Sequence, residues 1–555
     1  MRINFFIVYN NPMSFRQFLG LFFLGLCVAL TVMHFQTVPG YMDADYYFAD
    51  GYQLGSRQGF IEPFLWNYLD NPQGIPHPAF SYWTPLASFL AATGIILIGK
   101  SSSLALEVFN SARLGFIILA SFIPPLTAAL AYAITRRKDT SFFVGLLSCF
   151  SGFYLPYIVT TDTFSICMVI GALWLLIVGI PYNDKVTRSR FMIFQPLILG
   201  LLSGLMHLAR ADGLIWFVVT IAFLLVRSIK SKRKFPSIHF SMQLKSFLLQ
   251  SCLCLAGYLV VMGPWIARNY EVFGSFLSPG GVRALWFINY NDLYAYPASI
   301  ITPARWLQSG LLEIIRVRLW ALSLNLQTAV IVQGQIYLTP LILIGLWRLR
   351  NNPHIRWGGL VWILVFLSMT FLFPFPGARG GLFHSGAAVQ PMLWAVVPVG
   401  LSGLVELGSR YRKWNSRQAT RIFGVGIVGL GILISVFIIS QRVIGPKLST
   451  PRWEESADIY RQLDQSLTKI GAQPEDIVMV NNPPGYFIVT ARMAISCPSG
   501  DLQTQLAVAN RYHARYLLLE SNHPPELDDL YTNPRSLPGL SYLLTVDGAH
   551  IFKIE

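Results

Sequence analysis

The stretch YMDADYY (Tyr41–Tyr47) directly follows the apolar run Phe18–Phe35. That run is long enough to cross a hydrocarbon core of about 30 Å as a helix. Its flanks permit a signal peptide, but no A-x-A-like site follows and many apolar segments do, which favours a retained anchor. A charge facing lipid costs about 2.5–3.5 kcal/mol, so Asp43 and Asp45 are expected to face water or a cavity. This junction therefore predicts a membrane protein with a polar site just outside its first span.

The composition supports this class for the whole chain. Of the 555 residues, 54% are hydrophobic and only 12% are charged, about half the charged fraction of an ordinary soluble domain. The net charge of +15 arises from basic residues in short loops between apolar runs. Basic residues in short loops are typical of the cytoplasmic side of a membrane protein, so the net positive charge does not require a nucleic-acid partner. The six cysteines show neither a disulfide framework nor metal-type spacing.

Apolar periodicity predicts an all-α polytopic membrane protein with about eleven transmembrane helices. The expected spans are 14–36, 108–135, 140–158, 163–181, 194–209, 213–229, 246–267, 324–347, 357–375, 386–406 and 421–440. With the N-terminus inside, every strongly basic loop is cytoplasmic, as the positive-inside rule requires. Those loops are Arg136–Lys138, Lys185–Arg190, Arg227–Lys234, Arg348–Arg356 and Arg410–Arg421. A further span at Phe80–Ile98 would place all five basic loops on the outer side. We therefore interpret that run as a juxtamembrane helix in the first outer loop.

The expected extracytoplasmic parts are a first loop at about 37–107, a second loop at about 268–323 and the C-terminal segment. Short β-rich runs at Asp476–Val480, Arg515–Leu519, Tyr542–Val546 and Ile551–Ile554 alternate with amphipathic stretches. They predict a small α/β domain over 446–555, after a transmembrane domain over 1–445.

Other candidate residues of the first loop surround several prolines. Glu62 precedes Pro63, His77 precedes Pro78, and Tyr82-Trp83 follow shortly after. Aromatic faces suit sugar rings or acyl chains, but an interfacial aromatic belt explains Trp83 equally well. A lone histidine such as His77 is more often a surface residue.

Further candidates lie at predicted outer ends of spans. Asp162 opens the fourth span, where it could equally be a helix cap. Arg210 and Asp212 lie in one turn and could be a local ion pair. Arginines can bind a phosphate bidentately or extend to lipid headgroups. The remaining candidates in such positions are Arg268, Arg379 and His384.

The order and side of these motifs resemble the C-type glycosyltransferases, which use polyprenyl- or dolichyl-phosphate sugars and include protein O-mannosyltransferases and the aminoarabinose transferase of lipid A. The resemblance covers roughly residues 14–410. It implies a membrane glycosyltransferase in which Asp43, matching the first acid of the family's Asp-Glu motif, is the catalytic base. Ala44 replaces the usual Glu, and Asp45 follows one position later. His77–Trp83 is similar to a Lys-Pro-x-x-x-Tyr-Trp stretch whose Lys contacts the carrier phosphate.

The expected substrates are a polyprenyl-phosphate-linked sugar and a lipid, glycan or protein acceptor on the outer side of the plasma membrane. Asp43 and Asp45 could bind Mg²⁺ or Mn²⁺, although no cofactor is required by the pattern. A lipid or sugar transporter or flippase is the main alternative, but transporters place polar groups near the midplane. A non-catalytic envelope assembly protein is another, and it leaves the polar first loop unexplained.

Overall fold

The computed structural model describes residues 14–99, 102, 104–180, 190–234 and 240–555. Most of the basic stretch Lys185–Arg190 lies outside these residues, so its predicted position is not addressed. Helices dominate the membrane part of the chain, as the hydrophobic pattern predicts. The longer ones are Phe15–Met33, Leu114–Thr135, Lys138–Cys149, Phe164–Val178, Arg190–Ala209, Leu214–Lys234, Phe240–Phe273, Leu311–Gln327, Thr339–Arg348, Pro353–Leu367, Gln390–Arg412 and Ser416–Ile439.

Among the described residues, eight helices are long and apolar enough to cross a membrane. Shorter apolar helices accompany them: Phe164–Val178 packs against Leu114–Thr135, and Thr339–Arg348 packs against Gln390–Arg412. The fold is thus that of a polytopic helical membrane protein, as predicted. The number of eleven crossings stays a prediction, because short helices can cross only part of a bilayer about 30 Å thick.

Two predicted spans have different bounds in the structure. The expected span 140–158 ends early, because its helix stops at Cys149. The expected span 324–347 is divided, since one helix begins at Leu311 and a second begins at Thr339. Between them, Gln335 and Ile336 adopt positive φ angles of 46° and 59°, a conformation that no helix interior contains. The buried Gln333 beside this break accepts a hydrogen bond of 2.8 Å from Trp362 Nε1.

The first loop is more helical than the sequence suggested. Met42–Gly55 forms a helix, which we call the acidic helix, with Asp43 and Asp45 in its first turn. Carboxylates are favourable there because the N-terminal end of a helix carries partial positive charge. The Phe80–Ile98 run becomes the helix Leu86–Ile98, which has 13 residues. At about 1.5 Å per residue it is too short to cross a bilayer, which agrees with a juxtamembrane helix.

The C-terminal segment forms the expected small α/β unit. Its strands are Ile477–Val480, Ala494–Ser496, Ala514–Leu519, Leu540–Val546 and Ala549–Ile554, and its longer helices are Glu455–Lys469, Pro483–Thr490 and Leu502–Tyr512. The short strand Phe64–Leu65 of the first loop pairs parallel with Ala494–Ile495 at the edge of this sheet. The first loop and the C-terminal unit therefore share one six-stranded sheet, which fixes their relative position.

The polar loops and the basic turns occupy opposite ends of the helix Leu114–Thr135. At its first end, Arg113 Nη1 donates to the carbonyl oxygen of Gln36 at 2.5 Å. At its last end, Asn352 Nδ2 donates to the carbonyl oxygen of Ile134 at 3.3 Å. A helix of 22 residues is about 33 Å long. The fold thus separates the first loop from the basic turns Arg136–Lys138 and Arg348–Arg356 by about the thickness of a membrane, and the cellular side of each end stays a prediction.

Candidate active site

Three side chains from distant parts of the chain meet beside the acidic helix. His384 Nε2 lies 3.4 Å from Asp43 Oδ2, and His384 Nδ1 lies 3.6 Å from Asp162 Oδ1. The imidazole thus bridges two carboxylates, and it packs on the ring of Phe164 at a centroid distance of 4.2 Å. We call Asp43, Asp162 and His384 the carboxylate–imidazole cluster.

The two carboxylates of the cluster have different environments. Asp162 is fully buried and accepts hydrogen bonds of 2.5 Å from the Tyr41 hydroxyl and the Thr163 N–H. Burial opposes its ionisation, but His384 and these donors outweigh burial and hold the pKa of Asp162 below its usual value. Asp43 keeps 34% of its side chain accessible. Desolvation raises the pKa of Asp43 to about 6 against the opposing charge of His384.

Arg210 and Asp212 form an ion pair of 2.9 Å in the turn before the helix Leu214–Lys234. The pair holds the turn, as one of the two sequence interpretations predicted. Arg210 also lies close enough to Asp43 for its charge to lower the pKa of that carboxyl. It is therefore a cation at the edge of the cluster as well as a structural partner of Asp212.

Aromatic side chains of both loops line the same region. The Trp83 ring stacks on Trp66 with centroids 4.3 Å apart and planes 11° apart. Tyr82 packs against Gly280 of the second loop, where an added Cβ would lie 2.9 Å from the Tyr82 ring. Burial and then the neighbouring charges, including Asp43, raise the pKa of Tyr82. Tyr82 thus lies within electrostatic range of Asp43 in the cluster, whereas Trp83 belongs to the aromatic packing around Trp66.

Arg379 lies across the ring of Tyr290, with its guanidinium carbon 4.8 Å from the ring centroid. It immediately precedes the kink at Gly380, whose φ of 125° is accessible chiefly to glycine. Among the described residues no carboxylate lies within ion-pair distance of Arg379, which is exposed. Burial and the charge of Asp43 raise the pKa of Tyr290. An exposed guanidinium over Tyr290, which itself lies within electrostatic range of Asp43, is a suitable contact for an anionic group.

Asp45 does not join Asp43. Residues two positions apart on a helix differ by about 200° in direction, so the side chain of Asp45 points to the C-terminal unit. It is 6% exposed and accepts a hydrogen bond of 2.7 Å from Asn482 Nδ2. The acidic helix thus places the two aspartates on different faces, so they do not form the joint cation site that the sequence suggested.

His77, Glu62 and Arg268 form contacts behind the cluster. His77 is buried, with Nε2 3.0 Å from the Phe64 carbonyl oxygen and 3.3 Å from Glu62 Oε2. Glu62 also accepts from the Tyr46 hydroxyl at 2.8 Å. Arg268 Nη2 donates to the Ala79 carbonyl oxygen at 2.7 Å. These contacts tie all three residues to the first loop, and their predicted contact with a substrate stays a prediction.

The sequence interpretation overlooked the roles of Tyr41, Tyr290 and Asn482. Tyr41 was quoted in the acidic stretch, but only folding shows its bond to Asp162. Asn482 carries a local signal, because it precedes Pro483-Pro484 and therefore suggests a helix cap. Its Oδ1 does accept from the Gly485 N–H at 3.1 Å. Its amide contact with Asp45 has no local signal.

The carboxylate–imidazole cluster is a better candidate site for a divalent cation than the pair Asp43 and Asp45. One ligand atom from each of Asp43, Asp162 and His384 lies within 4.8 Å of the others. A histidine with two carboxylates is a mixed donor set that suits Mn²⁺ or Zn²⁺ more than Mg²⁺, which prefers oxygen ligands.

Comparison with solved structures gives the fold a context. The structure is similar to ArnT from Cupriavidus metallidurans bound to undecaprenyl phosphate, with a TM-score of 0.56, 12% identity, and coverage of 97% of this chain and 98% of that one. It is also similar to the archaeal oligosaccharyltransferase AglB from Archaeoglobus fulgidus in complex with an inhibitory peptide and a dolichol-phosphate. There the TM-score is 0.51 at 13% identity, with 93% of this chain and 70% of that one covered.

No family model and no curated protein matches the chain. The similarity to ArnT and AglB extends across the membrane helices and the C-terminal unit, since more than nine-tenths of this chain is covered in each case. Identities of 12% and 13% establish a shared architecture rather than a shared substrate. The chain therefore has the fold of the C-type glycosyltransferases, as the resemblance of its motifs implied.

Proposed function

We propose that this protein transfers a sugar from a polyprenyl-phosphate carrier to an acceptor hydroxyl, with Asp43 as the general base. The observation that carries the proposal is the environment of Asp43. Its carboxylate is partly accessible, has a pKa raised to about 6, and is backed by the His384–Asp162 pair. A base is most effective when its pKa lies near the working pH.

The transfer needs one proton movement and one bond exchange. The acceptor oxygen attacks the anomeric carbon while its proton passes to Asp43. The bond between that carbon and the carrier phosphate oxygen breaks, and its electron pair leaves with the phosphate. The products are the glycosylated acceptor and the free polyprenyl phosphate, and no nucleotide is involved.

Two arginines, one near Asp43 and one over Tyr290, suit the departing phosphate. Arg379 is exposed above Tyr290, and Arg210 lies close to Asp43. Fixed positive charges near a group that gains negative charge stabilise the transition state. His384, held by buried Asp162, keeps a positive or hydrogen-bonding group next to the base. Tyr82 and Tyr290 offer aromatic faces for the sugar ring.

The carrier class is inferred from two solved structures with this fold, one bound to undecaprenyl phosphate and one to a dolichol-phosphate. A lipid, a glycan or a protein can supply the hydroxyl, and the sugar can be a hexose or a pentose. We place the protein in the plasma membrane, with the cluster and the domain 446–555 on the extracytoplasmic side. A Mn²⁺ or Zn²⁺ ion held by the cluster would add charge near the phosphate.

The test is a transfer assay with purified protein in lipid vesicles. Undecaprenyl-phosphate-linked hexoses and pentoses are offered with total membrane glycolipid and protein as acceptors. Asp43→Asn keeps the size of the side chain and removes the base, so transfer should fall by about 10²–10⁴. Asp139→Asn is the matched control, because Asp139 also lies in the first turn of a helix but at the basic end. Near-normal transfer by Asp43→Asn would overturn the assignment of Asp43 as the general base. Sugar-lipid crossing the vesicle without any glycosylated product would instead support a transporter.

A further inference from the structure

The C-terminal unit contacts the segment Thr37–Asp45, which leads into the first turn of the acidic helix, at three points. Trp453 Nε1 donates to the Val38 carbonyl oxygen at 3.0 Å. Glu454 Oε1 accepts from the Thr37 hydroxyl at 2.6 Å. Asn482 Nδ2 donates to Asp45 Oδ2 at 2.7 Å. We call Trp453, Glu454 and Asn482 the clamp.

The Asn482–Asp45 contact is the one of the three that reaches the acidic helix itself. Asp45 is buried, and its carboxylate lies against the first turn of the helix Pro483–Thr490. A Cβ added to Gly485 would lie 2.7 Å from Asp45 Oδ2. The glycine thus allows the carboxylate to approach the helix end, where it accepts from the Asn482 amide. Gly485 and Asn482 therefore both accommodate the buried carboxylate of Asp45.

The same helical turn carries the proposed base. Asp43 precedes Asp45 by two residues, and the Asp45 N–H donates to the Tyr41 carbonyl oxygen at 2.9 Å. Tyr41 in turn donates its hydroxyl to Asp162. Any movement of Asp45 therefore moves the backbone that carries both Asp43 and Tyr41. A displacement of about 1 Å can cost a catalytic site about 10²-fold in rate.

We propose that Asn482 of the C-terminal unit is a positioning residue for the transfer site, which holds Asp45 and thereby sets Asp43 against the acceptor. This inference rests on the proposed function, and it gives the C-terminal unit a role in it. Asp45 acts as the point of attachment rather than as a second base. Its hydrogen-bond acceptor, not its charge, is what the site requires.

Three single substitutions and one double variant separate these roles. Asn482→Asp keeps the helix cap, because aspartate caps as well as asparagine, but it removes the donor. Asp45→Asn keeps an acceptor oxygen, and Asp45→Ala removes it. Asn482→Asp should lower kcat by about 10–10²-fold with the donor KM unchanged, and so should Asp45→Ala. Asp45→Asn should be near normal. The double variant Asp45→Asn with Asn482→Asp restores an amide–carboxylate hydrogen bond in the opposite sense and should recover most of the loss.

Tyr512→Phe is the matched control. It also removes one hydrogen bond between the C-terminal unit and the first loop, from the Tyr512 hydroxyl to the Pro72 carbonyl oxygen at 2.9 Å, but it does not touch the acidic helix. Its transfer rate should equal that of the wild type. A loss in Asp45→Asn as large as in Asp45→Ala, or a double variant no better than Asn482→Asp, overturns the proposal.

Amide hydrogen exchange of residues 42–55 provides a readout that does not need activity. Exchange should be faster in Asn482→Asp, normal in Tyr512→Phe and restored in the double variant. If the wild type transfers no sugar at all, the proposed function fails, and exchange still decides whether Asn482 holds the helix. Unchanged exchange in Asn482→Asp overturns the positioning role regardless of activity.

Discussion

His384 Nε2 lies 3.4 Å from Asp43 Oδ2 in the structure, although the two residues are far apart in the sequence. The other imidazole nitrogen faces Asp162. This arrangement lets one histidine either orient the proposed base or share a cation with it. Only the second use, a shared cation, predicts that added metal stabilises the protein.

We expect the cluster to bind a divalent cation. Mn²⁺ added to chelator-treated protein should raise Tm, since a ligand at about 100 times its Kd stabilises the folded state by about 2.7 kcal/mol. His384→Ala should abolish the shift because it removes one of three ligands. Asp45→Asn should retain it, because Asp45 lies against Asn482 instead. Scanning calorimetry in detergent measures both, and an unchanged shift in His384→Ala contradicts the site.

Arg379 is expected to contact the carrier phosphate. Arg379→Ala should raise the donor KM by about tenfold, which corresponds to one lost charge-assisted hydrogen bond of about 1.4 kcal/mol. Arg379→Lys should retain part of the affinity because it keeps the charge. Arg316→Ala is the control, since Arg316 is also exposed but pairs with Glu313 at 3.2 Å. Donor titrations of all three variants decide the point, and equal KM values would exclude Arg379.

Gly40 should be essential for joining the first span to the acidic helix. Its φ is +92°, and an added Cβ would lie 2.2 Å from Trp453 Nε1. Gly40→Ala should therefore lower both Tm and transfer. Gly59→Ala separates the two causes, because Gly59 has a φ of +91° with no atom within 4 Å of the added Cβ. It should cost only the backbone penalty of about 1–2 kcal/mol. Equal losses in the two variants would show that the contact with Trp453 is unimportant.

Glu520 should make stability depend on pH. Burial raises its pKa from 4.5 to about 7, against hydrogen bonds with Asn481 and Tyr460. The protonated form is thus favoured by folding, so its stabilisation is complete below about pH 4.5 and is lost as pH rises to 7. Glu520→Gln should have a higher Tm than the wild type at pH 8 and a similar one at pH 4.5. The exposed Glu526→Gln should show no such trend, and a trend equal in both variants contradicts the assignment.

The predicted orientation can be checked with an impermeant thiol reagent. Gln58→Cys in the first loop and Glu526→Cys in the C-terminal unit should label from the outside in a cysteine-free background. Lys413→Cys in the basic turn should label only after the membrane is opened. All three positions are exposed. Labelling of Lys413→Cys and Gln58→Cys from the same side would contradict the predicted topology, and labelling of Lys413→Cys alone from the outside would reverse it.

The sequence alone determined the membrane class, the basic end of the bundle, the juxtamembrane helix before Ile98 and four of the C-terminal strands. These features depend on hydrophobic runs, charge and β-rich segments, which are local in the chain. It also singled out Asp43, because a carboxylate next to a span requires a polar environment.

Only the tertiary structure decided how the candidate residues group. Whether a side chain faces a cavity depends on helix direction and on neighbours from distant segments, and neither is written in local composition. Helical geometry turned Asp45 away from Asp43 and toward Asn482. Packing enclosed His77 with Glu62. The same packing brought His384 to Asp43, because the kink at Gly380 and the buried face of Phe164 fix where that imidazole can lie.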